Sequence, residues 1–396
     1  MSLSARQWLA RNGRTLWIVP AVLNMSAGVA LATHPNRWAD LQTIRLWTRQ
    51  WLFTGKDLYA PASSGTDYPP HAIVALSPLG LLPQSLAVPT WAMLNVALAA
   101  LAGYLAARFV RPRVSFGDAL YLTLLFLSWS GTKTLLQFSL LTLVFGLAAV
   151  VLAEKRPTWS GVCLGLSLMK PQIALPFLLW TVFRRRWTSA AIAVLLIAAG
   201  TALFCLRAST NPLSVAVRYA QILQLYFNGE IAMQGIAQLR PLFGHIGDGA
   251  AIELMTAAIL LPLFAGICVE GFHQTNSPSR VMYLAPGLAG IWSLLTFYHL
   301  TYGFVVLLPI AAVLLLGEDD VPLHERRLVF WTLQLALMID MPGAWRRFGA
   351  SWSQVPMLDD LFANFDRFVM LFLFAAVAAV YWRHRAPAPK LAPVPV

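Results

Sequence analysis

Apolar runs separated by short clusters of Lys and Arg constrain this chain more than any motif in it. A run of about 20 apolar residues is the length of helix that crosses a bilayer, and in lipid only a helix or a closed barrel satisfies every backbone polar group. Of the 396 residues, 58% are hydrophobic and only 12% charged, with 15 Trp. Such a chain is a polytopic membrane protein and not a soluble globule. The formal charge of +12 raises the question of nucleic acid, but the placement of the basic residues answers it. They fall between apolar runs, at Arg6/Arg11/Arg14, Arg108/Arg111/Arg113, Lys155/Arg156, Arg184/Arg185/Arg186, Arg326/Arg327 and Arg383/Arg385. This is the positive-inside pattern, which puts those clusters and both termini in the cytoplasm and excludes a nucleic-acid partner. The first apolar run has no convincing cleavage site after it and reads as an uncleaved anchor. Cys163, Cys205 and Cys268 lie inside apolar runs and read as small packing residues, with no disulfide framework.

The expected architecture is an all-α bundle of about twelve transmembrane helices in one integral membrane domain over 1–396. The spans fall near 15–32, 86–108, 115–131, 137–153, 160–170, 172–183, 187–206, 249–269, 281–297, 301–317, 328–341 and 363–383. A first outer loop covers 33–85, a second large outer loop 207–248, and the Pro-rich tail 386–396 reads as disordered and cytoplasmic. The run from His71 to Leu82 is assigned to the outer interface, because a crossing there would move the next basic clusters outside. Lys170-Pro171 interrupts the run from Gly161 to Phe183, and a helix broken at a charge is tolerated only inside protein or along a cavity.

Within the first outer loop, Leu41, Ile44, Trp47 and Trp51 recur at helical spacing, while Gln42, Arg45 and Arg49 share another face. The pattern predicts an amphipathic helix lying at the membrane interface. Asp40 at its start is either a helix N-cap or a general base. Lys170 either snorkels to the interface or binds a phosphate. His299 at a turn is either structural or functional, and Gln137 and Gln234 either bind sugar hydroxyls or satisfy backbone groups. Tyr68-Pro69-Pro70 is a rigid turn. The topology sends Asp40, Tyr68, Gln137, Lys170, Gln234 and His299 to the outer ends of their segments. No phosphate loop, dinucleotide fingerprint, HExxH or zinc-spaced Cys/His cluster occurs, and Glu318, Asp319 and Asp320 read as a solvated turn.

Taken in order, these residues resemble a family. Asp40, GKDLY at Gly55 to Tyr59, YPPH with SPLGLLP from Ser77 to Pro83, Gln137, GLSLMKPQ from Gly165 to Gln172 and FYHL from Phe297 to Leu300 are similar to the family-87 membrane glycosyltransferases over about residues 15 to 310. The resemblance implies a GT-C-like fold and transfer of a hexose, mannose in the type case, from a polyprenyl-phosphate donor to a lipid or glycan acceptor with inversion. It implies that Asp40 is the catalytic base, that Lys170 and His299 hold the donor phosphate, and that Tyr68, Gln137, Gln234 and Arg45 contact substrate. Neither metal nor cofactor is expected, and the partners are the donor, the acceptor and membrane lipids. The site is expected on the periplasmic or extracellular side of a bacterial plasma membrane. A secondary transporter or lipid-linked sugar flippase would share the broken helix and the buried charges.

Overall fold

A computed structural model of the chain describes residues 18–23, 26, 39–60, 66–128, 137–227, 238–243, 249–273, 284–297, 301–317, 322–338, 361–362 and 364–384. Helix accounts for 86% of the structure and no strand occurs among the described residues. His299, Gln234, the 318–320 acidic cluster, the 386–396 tail and most of the first apolar run lie outside the described residues.

The segment 33–85 contributes three helices among its described residues: α1 (Ala39–Arg49), α2 (Pro70–Ala75) and α3 (Ser77–Leu81). A π-helical turn, Gln50–Thr54, extends α1 and is closed by Gly55 at φ +68°, a left-handed conformation that glycine adopts without steric cost. Then follow α4 (Gln84–Val110), α5 (Phe116–Ser128), α6 (Ser139–Leu152), α7 (Pro157–Ser167), α8 (Pro171–Phe183), α9 (Trp187–Ala208) and α10 (Pro212–Phe227). The remainder holds α11 (Gly249–His273), α12 (Leu284–Thr296), α13 (Leu308–Leu316), α14 (Leu323–Met338) and α15 (Phe365–His384).

Four of these, α4, α9, α11 and α15, are long and apolar enough to cross a membrane. Their outward side chains are the kind that lipid accepts: Met93 on α4, Leu195 and Leu206 on α9, Leu254 on α11 and Phe372 on α15 are all well exposed. With the apolar composition they make the chain an integral membrane protein. The spans expected between 115 and 183 correspond to α5, α6, α7 and α8, which have 11 to 14 residues each. The 71–82 run forms the two short helices α2 and α3, of six and five residues, too short to cross at 1.5 Å per residue.

Alternation of these helices sorts the chain into two ends. At one end lie the start of α6, the break between α7 and α8, and the end of α9. At the other, Arg111 Nε donates to the Leu316 carbonyl at 3.1 Å and Arg186 Nη2 to Glu154 at 2.9 Å, so basic clusters far apart in the chain gather together. Close approach in the middle depends on small residues. A Cβ on Gly161 would meet Ile192 and the Ser189 carbonyl within 2.7 Å, and one on Gly165 would press on Ala193. This G-x-x-x-G stripe lets the α7 and α9 backbones touch, the packing mode that replaces hydrophobic collapse in lipid.

The apolar face expected on α1 exists, and protein covers it: Leu41, Ile44 and Trp51 are buried among Tyr59, Tyr68, Trp91, Phe138 and Phe204. Trp51 stacks on Phe204 with ring centroids 5.9 Å apart and donates its indole N–H to the Phe204 carbonyl. Leu46 and Phe53 are the exposed apolar residues on this segment. On the polar face, Arg45 and Arg49 donate to the carbonyls of Leu82 and Gly80 at 2.7 and 3.1 Å, clamping α3 along α1. Gly80 fits because it has no Cβ to strike Thr48.

Candidate active site

Asp40 stands in the first turn of α1. The Gln137 Nε2 donates to Asp40 Oδ2 across 97 positions of sequence. A carboxylate can only accept, so this contact fixes the amide's orientation. The Gln137 Oε1 is then buried with no hydrogen-bond partner among the described residues, an acceptor turned inward beside an exposed carboxylate.

Lys170 owes its place to the residue after it. Pro171 has no N–H and forces the preceding residue out of helical geometry, so Lys170 takes φ −124°, ψ 88° and α7 and α8 part around it. The side chain is only 5% exposed. Its Nζ donates to Ser139 Oγ at 3.3 Å, at the start of α6, and lies 5.5 Å from the centre of the Tyr68 ring, within cation–π range. Asp67 and Asp40 are its electrostatic partners.

Tyr68 is in turn held by the GKDLY motif. Asp57 Oδ1 accepts the Tyr59 N–H, while Oδ2 accepts from Thr210, just before α10, and from Arg218 in its second turn, at 3.1 and 3.0 Å. So anchored, the Tyr59 hydroxyl donates to the Tyr68 carbonyl at 2.5 Å, and its buried phenol is held far from ionisation, chiefly by loss of water. The Tyr68 ring meets Phe138 edge-on at 6.1 Å, and Phe138 packs against Trp91 at 4.3 Å. One continuous set of contacts therefore runs from Asp57 through Tyr59 and Tyr68 to the Lys170 ammonium.

Asp67 was not singled out by the sequence, and the structure puts it in this cluster. Burial raises its carboxyl above the usual range and the nearby Asp40 charge adds to that, while Lys170 and its own backbone N–H pull it down. Two carboxylates thus share one buried ammonium. An acidic residue abutting a Tyr-Pro-Pro turn was the available signal.

His71, the last residue of YPPH, is 3% exposed and its ring nitrogens have no well-formed hydrogen bond. Burial lowers it to about 4 against a small opposing pull from the Gly165 backbone, so it is neutral at physiological pH and acts as packing. It fits against Gly200 of α9, where a Cβ would lie 2.7 Å from the His71 Cβ and 3.1 Å from its backbone. Gly200→Leu is expected to push α2 and the Tyr68 turn away from the bundle. Overpacking of this kind costs about 1–3 kcal/mol, so the variant should melt lower than wild type; unchanged melting would contradict the contact.

Asp40, Tyr68, Gln137 and Lys170 are thus brought together, with Asp67 added. Arg45 is not: its polar neighbours are the Leu82 carbonyl and Arg49, on the α3 side of α1. The helix that leads toward His299 is tied to the same end, since Ser293 of α12 donates to the Gln172 carbonyl at 2.5 Å. On the stretch after Gln234, Gln238 and Leu239 bond to the Thr296 and Leu295 carbonyls at the end of α12.

A sequence profile described as glycosyltransferase family 87 matches residues 66–289. The matched stretch starts beside Asp67 and Tyr68 and contains Gln137 and Lys170; Asp40 precedes it. No curated protein and no solved structure matches the chain.

Proposed function

This chain belongs to glycosyltransferase family 87, and from that premise we propose that it moves a hexose, mannose, from a polyprenyl-phosphate donor to a lipid or glycan acceptor. The observation that carries the proposal is Asp40, held by Gln137 on one side and coupled to the buried Lys170 on the other. The acceptor hydroxyl oxygen attacks the anomeric carbon as the carbon–oxygen bond to phosphate breaks, and the configuration inverts. The phosphate leaves with the bonding electrons as polyprenyl phosphate, and Asp40 takes the hydroxyl proton. Lys170, with His299, balances the charge that builds on the leaving phosphate. In a partly dry site such a contact is worth far more than in water, so neither metal nor cofactor is invoked.

Gln137 has two tasks in this reading: its N–H orients Asp40, and its buried Oε1 accepts from a sugar or acceptor hydroxyl. A charge-assisted hydrogen bond contributes about 1.5–3 kcal/mol, so Gln137→Ala is expected to slow transfer roughly 10- to 100-fold by the 1.4 kcal/mol-per-decade rule. Steady-state turnover of the purified variant checks this, and turnover within twofold of wild type would remove Gln137 from the site. Tyr68 places the aromatic floor under Lys170. Gln234 is retained as a substrate contact, while Arg45 is given to holding α3.

We place the catalytic end of the bundle on the outer side of a bacterial plasma membrane, with the basic end and both termini in the cytoplasm, in keeping with the positive-inside distribution. The short helices α5 to α8 then complete a GT-C-like bundle of about twelve crossings, since a helix ending in a protein-lined cavity need not reach 20 residues. The α1–α3 group lies at the interface, where a prenyl chain can enter between helices while its phosphate stays at the site. A panel of labelled polyprenyl-phosphate sugars, incubated with purified protein and membrane lipid extract, tests the donor. Labelled product from the mannose donor is expected; product only from another sugar would overturn that choice.

A further inference from the structure

Some 20 Å from Lys170, at the opposite end of α8 by the 1.5 Å rise of its 13 residues, the helix ends form a concavity. Its volume is about 360 Å³, within the range of ligand sites. Arg108, Arg111, Lys155 and Arg184 line it, with Glu154 as the only carboxylate among the lining residues. Two outside groups reach those residues: Arg186 holds Glu154 at 2.9 Å, and Asp118 holds Arg111 at 3.1 Å. Among the described residues, five basic side chains and two carboxylates meet here. The Arg186 Nε is buried with no hydrogen-bond partner among the described residues. The wall toward the bundle interior is apolar, formed by Val150, Val151 and Trp180.

The level of the cavity along the bundle is marked by aromatic residues. Trp159 in the first turn of α7 and Trp187 at the start of α9 are at this same end and are 59% and 58% exposed. Exposed tryptophans at one height are the usual mark of the bilayer interface, where lipid headgroups sit. A cationic concavity at that height, open to water on one side and apolar on the other, matches a phosphate with chains attached. Arginines present paired donors to phosphate oxygens.

We propose that this cavity is a binding site for the phosphodiester headgroup of an anionic phospholipid from the leaflet opposite the catalytic end. The headgroup phosphate accepts from Arg108 and Arg184 with Lys155 at the rim, and an acyl chain lies along Val150 and Trp180. Occupancy ties together the ends of α4, α6 and α8, and so steadies the helices whose other ends carry Ser139 and Lys170.

The test uses the full chain in phosphatidylcholine nanodiscs with phosphatidylglycerol added stepwise, reading thermal melting and the lipid retained after detergent extraction. Phosphatidylglycerol should raise the melting temperature and be retained, while added phosphatidylcholine and soluble glycerol phosphate should do neither. The double variant Lys155→Gln/Arg184→Gln leaves the Arg111–Asp118 pair intact. It should bind phosphatidylglycerol roughly 10- to 30-fold more weakly, from about 1 kcal/mol per basic residue near the headgroups. Equal response to phosphatidylcholine and phosphatidylglycerol in wild type would overturn the proposal, as would an equal response to glycerol phosphate, which would make the ligand a soluble anion. Wild-type retention in the double variant would overturn the site. If the double variant does not fold, the wild-type comparison of the three additives decides alone.

Discussion

Asp40→Asn is expected to lower transfer by roughly two to four orders of magnitude, the usual contribution of a positioned general base, while leaving the fold intact. The amide keeps the size of the carboxylate and its oxygen still accepts the Gln137 N–H that now reaches Asp40, but it cannot take a proton. Melting temperature should therefore stay near wild type while turnover falls. Asp67 is the rival for the role, because burial raises its proton affinity, which suits a base. The pair of variants separates them. Asp67→Asn should reduce turnover less and move the acid limb of the pH–rate profile to lower pH, since the carboxyl that burial raises no longer titrates there. A larger loss from Asp67→Asn than from Asp40→Asn would transfer the base to Asp67.

Lys170→Ala is expected to raise the KM for the polyprenyl-phosphate donor far more than that for the acceptor. The ammonium is buried against Tyr68 and Ser139 and coupled to two carboxylates, so its loss also leaves Asp67 without a counter-charge. Breaking a buried charge pair costs about 3–5 kcal/mol, and a lower melting temperature is part of the expected result. Lys170→Arg keeps the charge and should recover stability, with partial recovery of donor affinity because the planar guanidinium does not fit an ammonium's position. If both variants weakened acceptor use and spared the donor, the phosphate role of Lys170 would be lost.

Local patterns exposed much of this arrangement. The 3.6-residue spacing of Leu41, Ile44 and Trp51 gave the buried face of α1, and Pro171 marked where α7 and α8 separate. Each rests on short-range backbone or side-chain geometry that the sequence carries directly. Span positions were legible for the same reason, since α4, α9 and α15 begin and end within a few residues of their apolar runs. What an exposed-looking polar face meets was not legible. Arg45 shares a helix face with Arg49, yet only the fold shows that face clamped to the Leu82 and Gly80 carbonyls. Similarly, α1 reads as a helix for lipid, but its apolar stripe is covered by Tyr59, Trp91 and Phe204 from distant segments. Asp67 escaped notice because its burial and its neighbours Lys170 and Asp40 come from segments apart in the chain and meet only in the fold.

The most direct test pairs two quantities in one reaction: polyprenyl phosphate set free and sugar attached to acceptor, measured with the purified protein and a labelled polyprenyl-phosphate mannose. The account predicts that the two accumulate one for one and that both vanish together in Asp40→Asn. Sugar-lipid that moves between leaflets with its phosphate bond intact, and with no free polyprenyl phosphate, would contradict it.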